Sequence, residues 1–378
     1  MRKLFFYGTL RDPDLLAVVL NRPVKDIEIT PAQLPGFEIC AVKGREFPFA
    51  RADEGCVADG ILVSGLSPED VERLIYYEGA YLYALEPVLL VVDAAEIKAE
   101  VFVSDYAGWQ PDGLWSLSAW IEQDQGVSVE AAGEVMSCFG IYPAEKVFEH
   151  YPTIRQRAQS RLRACDGAPR ELRSDLSSLD VTTHAVRQPY LSYFAVEERD
   201  LQFRKFDGRL SEPVKRAAFL AADAVTVLPY DPVLDQVLLI EQLRVGPLMR
   251  GDPHPWCLEP VAGRVDSGES YEQTAHREAH EETGLTLSAL EFVARYYPSP
   301  GAFSEYLVSY VGIADLSDRK DSVFGLESEH EDIRTLTIPF ATLMEAVTSG
   351  EAETAPLVLT ALWLARNRAR LRQTYGGA

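Results

Sequence analysis

Short apolar runs and amphipathic stretches alternate along this chain of 378 residues. Residues 3–10 read KLFFYGTL, a pattern typical of a buried strand that enters a glycine-containing turn. Residues 60–65 read GILVSG and indicate a second strand. A helix is predicted from Ser67, because Ser67 suits the N-cap, Pro68 suits the first helical position, and acidic residues follow in the first turn. The opening segment therefore mixes strands and helices, as α/β and α+β folds do.

The same mixture continues to the end of the chain. We predict strands at residues 85–92, 99–104, 223–229, 236–241, 291–297, 305–313 and 333–338, and hairpin-like alternation over 191–206. We predict helices at residues 115–122, 129–136, 144–163, 340–349 and 356–372. Residues 165–185 lack apolar periodicity and are rich in Ser, Asp and Pro. Part of this stretch is expected to link two domains, since the chain exceeds the length of one ordinary core.

The composition narrows the choice of partners and compartment. The formal net charge of −22 argues against nucleic acid and anionic membranes, but not against a phosphorylated small molecule, because bound metal ions reverse the local sign. No apolar run reaches about 18 residues and the chain opens on a strand pattern, so we expect neither a membrane span nor a signal peptide. The five cysteines are widely spaced without a C-x-x-C pair, which predicts free thiols in a reducing cytoplasm.

The segment 263–285 reads GRVDSGESYEQTAHREAHEETGL and concentrates acids on a short helix. Glu278 and Glu282 are four residues apart, and Glu281 lies three after Glu278, so the three carboxylates are neighbours on the helix. Like charges this close destabilise a helix unless they are neutralised. Mg²⁺ prefers carboxylate oxygens together with substrate phosphate. The alternative is a solvated acidic face, but that does not require the glycines and the arginine found here.

Other residues of this segment are expected to shape it. Gly263 permits a tight turn over the helix, Arg277 is predicted to point away from the acids and to pair with Glu269, and Gly284 suits the C-cap. Written as a pattern, the segment is G-x5-E-x7-R-E-A-x-E-E-x-G-L. It resembles the signature of the Nudix hydrolase superfamily at every specified position. His276 and His280 are not spaced with a third ligand for zinc, so they are expected to be surface residues.

Segments around this signature resemble the ADP-ribose pyrophosphatases of the superfamily, from about residue 190 to 373. They are LLIEQLR at 238–244, WCLEPVAG at 256–263, SPGAFSE at 299–305, with Pro300 15 residues after Leu285, and ESEHEDIR at 327–334. The resemblance implies an α/β/α sandwich for this half of the chain. Gly301-Ala302-Phe303 departs from the small residues common there, which leaves the sugar specificity open.

The resemblance also implies a role for each matching residue. The Ala262 carbonyl, Glu278 and Glu282 would bind Mg²⁺, or Mn²⁺ in its place, with Glu281 in support. Glu329 would be the general base, with Glu331 as the second candidate. Arg244 would hold a phosphate oxygen, and Pro300 and Glu305 would lie on the sugar side. These roles agree with the chemistry, because diphosphate hydrolysis needs neutralised phosphoryl charge and a deprotonated water. Each role has an alternative. Arg244 could be an ordinary surface arginine, the segment with Glu329 and Glu331 a solvated acidic loop, and Pro300 a simple turn proline.

The first half of the chain carries a different signal. The segments are FFYGTLRDP at 5–13, LPGF at 34–37, FPFARADEG at 47–55 and GLSPEDVERLIYYEGAYLYALEPV at 65–88. They resemble the gamma-glutamylcyclotransferase-like family, also called AIG2-like, and imply a mixed barrel. Glu78 matches the acid/base glutamate of that family, whose members release 5-oxoproline when an α-amine attacks a γ-amide carbonyl. The alternative is that Glu78 is an ordinary acid at a helix end.

The neighbours of Glu78 suit that chemistry. Desolvation beside Tyr7, Tyr77 and Tyr81 would raise the pKa of the Glu78 carboxyl. The backbone amides of a turn can hold a carboxylate, and the residues of this turn are Gly8, Thr9 and Leu10. The tryptophans Trp109, Trp115 and Trp120 are expected in the core rather than at a ligand.

Together these observations predict a cytoplasmic α/β (α+β) protein with three parts. Residues 1–125 form a cyclotransferase-like domain, 126–185 a helical extension and linker, and 186–378 a Nudix domain. The expected activity is Mg²⁺-dependent hydrolysis of ADP-ribose to AMP and ribose 5-phosphate. The resemblance implies a homodimer, with Tyr193 and Phe203 of the hairpin as candidates for adenine contact. The alternatives are another nucleoside diphosphate sugar, a bifunctional enzyme with cyclotransferase activity at Glu78, and a ligand-sensing regulator.

Overall fold

The structure, a computed structural model, describes residues 2–79, 83–104, 108–325 and 331–377. The chain divides into two compact units, Met1–Arg216 and Ala217–Ala378. Among the described residues, no helix is both long and apolar enough to cross a membrane.

The strands of the first unit are β1 Arg2–Phe6, β2 Glu28–Val42, β3 Pro48–Leu66, β4 Ala84–Val92, β5 Ala95–Val103, β6 Pro111–Leu114, β7 Val181–Leu191 and β8 Ala195–Phe203. Its helices are α1 Pro13–Leu20, α2 Pro68–Gly79, α3 Leu117–Gln123, α4 Gln125–Ser137, α5 Ala144–Phe148 and α6 Tyr151–Ala164. Short 3₁₀ turns cover Thr9–Arg11, Val24–Asp26 and Ser178–Asp180. Strand β9, Val214–Leu220, carries the chain into the second unit.

The first unit contains the mixed barrel that the sequence predicts. The strand order is β3-β1-β5-β4-β2, and β2 also pairs with β3, which closes the ring. Strands β1 and β5 run parallel, while β1–β3, β2–β3 and β4–β5 are antiparallel. The buried cluster inside includes Phe5, Leu62 and Val101. Gly60 is required on β3 because a Cβ there would overlap the Phe5 ring and the Phe6 carbonyl oxygen.

Helices α4 and α6 are fastened to each other and to the barrel by buried polar contacts. Arg157, only 1% exposed, donates from Nε to Glu134 Oε1 at 2.9 Å and so ties α6 to α4. Gln125 at the start of α4 donates to Asp12 Oδ2 at 2.7 Å. Asp12 is also the N-cap of α1, where it accepts from the Leu15 N–H. The extension is therefore attached to the turn that follows β1.

In the second unit the strands are β10 Ala224–Asp231, β11 Gln236–Leu243, β12 Trp256–Glu259, β13 Val261–Arg264, β14 Ala289–Tyr296, β15 Leu307–Ile313, β16 Val323–Phe324 and β17 Ile333–Pro339. The helices are α7 Val245–Arg250, α8 Tyr271–Thr283, α9 Phe340–Ser349 and α10 Ala355–Tyr375.

The second unit is the α/β/α sandwich that the sequence predicts. The central strand order is β14-β15-β10-β11-β17-β16, with β12 on β11 and β13 on β10. Helix α8 packs on one face through Ala275 and Ala279. Helices α9 and α10 cover the other face, where Leu343 and Leu364 are fully buried. Strand β10 is buried along its whole length because both of its faces are covered.

Two sequence predictions of elements need correction. The region 144–163 is not one helix, because α5 ends at Phe148 and α6 begins at Tyr151, with Pro152 at a position that needs no N–H donor. The hairpin is formed by β7 and β8, so the interval 191–206 holds only its turn and second strand. The first strand, β7, begins inside the stretch 165–185 expected to contain a linker and continues to Leu191. Its mostly exposed residues give no apolar period, so the sequence pattern does not indicate it.

Candidate active sites

Helix α8 presents the predicted acidic cluster. Ser270 and Gln273 form a capping box at its start, and Gly284 ends it in the left-handed conformation with φ 64°. Ala275 and Ala279 face the core, while His276 and His280 are exposed as predicted. This orientation turns Glu278 and Glu282 toward Gly263 and Ala262 of β13, while Glu281 accepts from Arg277 of the same helix.

Arg277 binds more acids than the sequence suggested. Its Nε donates to Glu269 Oε1 at 3.0 Å, as predicted, and lowers the pKa of the Glu269 carboxyl. Its Nη1 also donates to Glu278 at 2.7 Å and to Glu281 at 2.9 Å. The prediction that Arg277 points away from the acids is therefore wrong. The planar guanidinium reaches several carboxylates at once, including its sequence neighbour and the residue one turn later.

Gly263 is required by the approach of Glu278. A Cβ at Gly263 would overlap the Glu278 carboxyl group, so only glycine allows β13 to pass this close to α8. Gly263 thus acts through lack of bulk rather than through a positive φ, since its φ is not among the positive ones.

Glu282 is the buried member of the cluster. It is 3% exposed, and its Oε2 accepts from the Ala262 N–H at 3.1 Å. Burial raises the pKa of Glu282 to about 9, and the charges of Glu278 and Glu331 raise it further against the effect of the Ala262 hydrogen bond. The ionised form of Glu282 therefore needs compensating positive charge.

The carboxylates of Glu278, Glu281 and Glu282 are oxygen ligands whose type and charge fit a hard divalent cation. Within the described ranges no three His, Cys, Asp or Glu side chains are already arranged to hold a metal ion, and Arg277 is bonded to both Glu278 and Glu281. A cation beside the buried Glu282 would supply the positive charge that burial and two neighbouring carboxylates make favourable.

Arg244 lies beside this cluster together with an acid that the sequence analysis did not single out. Arg244 follows β11, and its Nε donates to Glu259 Oε2 on β12 at 2.6 Å. Burial raises the pKa of Glu259 and Arg244 opposes the rise. The positive charge of Arg244 also opposes the rise that burial causes in the pKa values of Glu282 and Glu305. A single acid in the otherwise apolar WCLEPV segment was the available signal for Glu259.

Glu305 belongs to the same electrostatic environment. Burial raises the pKa of its carboxyl, while the charges of Arg264 and Arg244 lower it. The structure thus brings the predicted residues Arg244, Glu282 and Glu305 within electrostatic range of one another, and adds Arg264 and Glu259 to the set.

Of the two candidate general bases, Glu331 lies among the described residues and Glu329 does not. Glu331 is described and half-buried, and its charge raises the pKa of Glu282, which locates its carboxylate near the acidic cluster. Gly325 packs against the Glu331 backbone and Cβ so closely that a side chain at 325 would overlap them.

Pro300 lines a separate open pocket of the second unit. The lining residues are Ala218, Tyr297, Pro300, Gly301, Ala302, Phe303 and Ser304, and the empty volume is about 680 Å³. Phe303, the departure noted in the sequence, packs on Phe219 with ring centroids 5.9 Å apart. The bulky residue therefore serves partly to hold this loop against the chain at Phe219.

The first unit contains a second pocket, with an empty volume of about 560 Å³. Its lining includes the predicted residues Tyr7, Gly8, Thr9, Leu10 and Glu78. The other lining residues are Phe5, Phe6, Glu46, Phe47, Pro48, Tyr77, Tyr83, Phe102, Ser128 and Tyr151. Residues from the turn after β1 and from the end of α2 thus meet at one cavity.

Glu78 is a carboxyl group of this pocket with a strongly raised pKa. Burial among aromatic side chains raises the pKa of Glu78 to about 8. Tyr7 donates from its hydroxyl to the Phe102 carbonyl oxygen at 3.0 Å, and Tyr83 donates to the Pro48 carbonyl oxygen at 2.6 Å. The pKa values of both phenols are raised by burial. The predicted neighbour Tyr81 lies outside the described residues.

Several pocket residues were not predicted from the sequence. Ser128 and Tyr151 come from the helical extension, where nothing in the local pattern connects them to Glu78. Trp120 is in the core as predicted, at 3% exposure. Trp109 instead packs on Phe47 and Tyr83, with ring centroids 5.4 Å and 5.3 Å apart, and so backs the pocket wall.

A known family model matches a part of each unit. The family model for the NUDIX domain matches residues 220–358, and the model for gamma-glutamyl cyclotransferase, AIG2-like, matches residues 4–117. ADP-ribose pyrophosphatase of Escherichia coli (strain K12) is 34% identical over 196 residues, which are 52% of this chain and 93% of the relative. GDP-mannose pyrophosphatase of Cronobacter sakazakii is 31% identical over 168 residues, 44% of this chain and 86% of the relative.

A solved structure described as an ADP compounds hydrolase is 26% identical, covers 52% of this chain and 97% of its own, and has a TM-score of 0.40.

The chain belongs to the Nudix hydrolase family, whose members cleave phosphorus-containing anhydrides. It is a Nudix hydrolase that also carries an AIG2-like gamma-glutamyl cyclotransferase domain in its N-terminal half.

Proposed function

We propose that the second unit hydrolyses ADP-ribose to AMP and ribose 5-phosphate with Mg²⁺. The observation that carries this proposal is the buried Glu282 beside Glu278, with Arg244 in electrostatic range. The ADP-ribose pyrophosphatase relatives support the choice of substrate. The GDP-mannose pyrophosphatase relative makes another nucleoside diphosphate sugar the main alternative.

Each residue then has a specific task. Glu278 and Glu282, with the Ala262 carbonyl and with Glu281 in support, would hold the metal ion. When bound, Mg²⁺ neutralises phosphoryl charge and makes a nearby water easier to deprotonate. Arg244 binds a phosphate oxygen once substrate competes with Glu259 for its guanidinium. The loop that contains Glu329 and Glu331 supplies the carboxylate that accepts the proton.

The residues around Pro300 complete the proposed substrate site. Pro300 and Phe303 line an open pocket, and Glu305, two residues after Phe303, lies in electrostatic range of Arg244, which supports contact of this segment with the sugar. A homodimer is proposed from the family, with Tyr193 and Phe203 of the hairpin toward adenine. These aromatic side chains are 61% and 36% exposed, so they are accessible for such contact.

A Mg²⁺-dependent hydrolysis screen tests the proposal. The substrates are ADP-ribose, ADP-glucose and GDP-mannose, each with wild type, Glu282→Gln and the exposed control His280→Gln. We expect the highest kcat/KM on ADP-ribose and a loss of roughly a hundredfold or more in Glu282→Gln only. Equal turnover by Glu282→Gln would refute the metal assignment. Preference for another sugar would change the substrate, and tight binding without hydrolysis would indicate a sensor.

We infer a second activity for the first unit, the release of 5-oxoproline from a γ-glutamyl amide. The observation that favours it is Glu78, whose pKa of about 8 makes both of its protonation states accessible near neutral pH. The α-amine nitrogen bonds to the γ-carbonyl carbon, and the amide C–N bond breaks. The attacking ammonium loses two protons in all: Glu78 takes one and delivers it to the leaving nitrogen, and the second also ends on the released amine, which leaves as an ammonium ion beside 5-oxoproline.

The test is 5-oxoproline release from a panel of γ-glutamyl amides. Wild type is compared with Glu78→Gln and with Glu72→Gln, an exposed acid on the same helix. We expect release by wild type and Glu72→Gln and none by Glu78→Gln. Absence of release from every amide with wild-type protein would refute the activity.

A further inference from the structure

Arg319 of the second unit carries a guanidinium with unsatisfied buried donors. Its Nε and Nη2 atoms are buried, and neither has a hydrogen-bond partner within the described part of the chain. Burial lowers the pKa of Arg319. Buried donors without partners destabilise a fold, so hydrogen bonding does not explain why an arginine occupies this position. The packing of its guanidinium on neighbouring elements supplies the explanation.

Arg319 packs on Phe324 at the end of α8, the helix that carries the acidic cluster. The guanidinium carbon of Arg319 lies 5.4 Å from the centroid of the Phe324 ring, which suits a cation–π contact. A Cβ at Gly284, the residue that ends α8, would lie 3.5 Å from Phe324 Cε1 and 4.0 Å from Arg319 Nη1. Both side chains therefore lie against the helix end, where a positive charge is favourable beside the helix dipole.

Phe324 also fixes the backbone of Glu331. Phe324 belongs to β16, which pairs with β17. The next residue, Gly325, has a φ of 117°, and a Cβ there would lie 2.7 Å from the Glu331 Cβ and 2.8 Å from its carbonyl oxygen. The Thr335 N–H donates to the Ser322 carbonyl oxygen at 2.9 Å, and the Ser322 N–H donates to Thr335 Oγ1 at 3.0 Å. Because the two strands are held this closely, a shift of Phe324 moves the Glu331 backbone.

These contacts place Glu331 in one frame with the acids of α8. The Glu331 carboxylate lies within electrostatic range of Glu282. Arg319 and Phe324 touch the end of α8 on one side and the strand pair beside Glu331 on the other. A displacement of catalytic groups by about 1 Å can cost roughly a hundredfold in rate. A contact that sets the distance between Glu331 and α8 therefore affects catalysis without touching the substrate.

We propose that Arg319 and Phe324 are positioning residues that set the distance between the Glu331 carboxylate and the acids of α8 during diphosphate hydrolysis. Arg319 holds the Phe324 ring against the end of α8, and Phe324 acts on Glu331 through the pairing of β16 with β17. The cation of Arg319 is retained for this contact despite the cost of its unsatisfied donors. This inference rests on the proposed hydrolysis of ADP-ribose by the second unit.

Substitutions at Arg319 separate positioning from stability in the full-length protein. Arg319→Met removes both the cation and the unsatisfied donors, so we expect the unfolding midpoint of the second unit to change little. With ADP-ribose and Mg²⁺, we expect kcat to fall roughly tenfold or more while KM changes by less than about twofold. Arg319→Lys retains a cation and should restore part of kcat.

Lys320→Met is the matched control, because Lys320 is the neighbouring cation and is exposed. It should leave kcat and KM unchanged. A wild-type kcat in Arg319→Met, or a fall in kcat that only parallels a loss of stability, would overturn the proposal.

A double-mutant cycle identifies the group through which Arg319 acts. Glu331→Gln removes the charge of the carboxylate with little change in shape. If Arg319 acts through Glu331, adding Arg319→Met to Glu331→Gln lowers kcat much less than it does in wild type. Phe324→Leu should behave as Arg319→Met does in the same cycle. Effects that multiply independently would overturn the link, and so would a wild-type kcat in Glu331→Gln.

Amide hydrogen exchange tests the contact without any substrate. The amides of Ser322 and Thr335 report on the pairing of β16 with β17. We expect Arg319→Met to increase their exchange rates by roughly threefold or more and Lys320→Met to leave them unchanged. If wild type hydrolyses no diphosphate but exchange changes in this way, the hydrolytic function fails and the positioning contact stands. If wild type hydrolyses ADP-ribose and Arg319→Met alters neither exchange nor kcat, the function stands and the inference is overturned.

Discussion

The two units each bury a glutamate whose pKa is strongly raised by that burial, but the groups around the two carboxyls differ. The carboxylates of Glu278 and Glu331 raise the pKa of Glu282 further while Arg244 opposes the rise, so the ionised form of Glu282 still requires added positive charge. Glu78 lies in an aromatic pocket where burial is the cause of its raised pKa. The first arrangement suits a site that gathers cations and phosphate, and the second suits a carboxyl group that exchanges a proton. A raised pKa by itself does not distinguish these chemistries, whereas the neighbouring groups do.

The largest expected effect tests the crowding at the first of these sites. Gly263→Ala places a Cβ where the Glu278 carboxyl lies and forces α8 and β13 apart. We expect diphosphate hydrolysis to fall roughly a thousandfold, since small displacements of catalytic groups are costly. Gly246→Ala is the matched control, because a Cβ there meets no atom within 4 Å. Near-normal hydrolysis by Gly263→Ala would show that the close approach to Glu278 is not needed.

The next largest effect is a loss of stability of the first unit, caused by removing the ion pair between α4 and α6. Arg157→Met removes the buried partner of Glu134 between α4 and α6 and leaves that carboxylate with Arg161, whose side chain is 37% exposed. We expect the first unit to lose about 3 kcal/mol of stability, while the unfolding of the second unit is unchanged. Scanning calorimetry of the full chain measures both transitions. Equal shifts of the two transitions would argue against a contact that serves the first unit alone.

Arg244 gives a smaller effect, confined to substrate binding. Arg244→Met removes a guanidinium proposed to bind phosphate, and we expect KM for the diphosphate substrate to rise roughly tenfold to a hundredfold. Arg250→Met, at a side chain that is 82% exposed, should leave KM unchanged. A loss in kcat with unaltered KM would instead indicate that Arg244 acts only on the transition state.

The pH dependence of stability gives the smallest effect and addresses Glu78 directly. The folded pKa of about 8 lies above the ordinary value of 4.5, so the folded state holds one more proton than the unfolded state between these values. Stability of the first unit should therefore fall as pH rises through this window, by about 1 to 3 kcal/mol in total. Glu78→Gln should remove that fall and Glu72→Gln should not. Thermal unfolding midpoints between pH 5 and pH 8 provide the measurement. An identical slope in Glu78→Gln would exclude Glu78 as its source.

Local spacing explains why so much of the Nudix site could be predicted. The positions of Glu278, Glu281 and Glu282 on one helix follow from the 3.6-residue period, and the cap at Gly284 follows from glycine alone. The pairing of Arg277 with Glu269 was also predictable, but its bonds to Glu278 and Glu281 were not. A long flexible side chain selects among several acids only when their positions in space are fixed.

The sequence by itself determined the two domain types, the acidic helix face and the identity of the turn and glutamate that meet at the first pocket. Each of these depends on residues close together in the chain, where geometry is set by backbone period and turn chemistry. The tertiary structure alone decided that Ser128 and Tyr151 line the same pocket as Glu78, and that Glu259 binds Arg244. Such contacts join separate elements, and the packing that creates them leaves no periodic signal in the sequence.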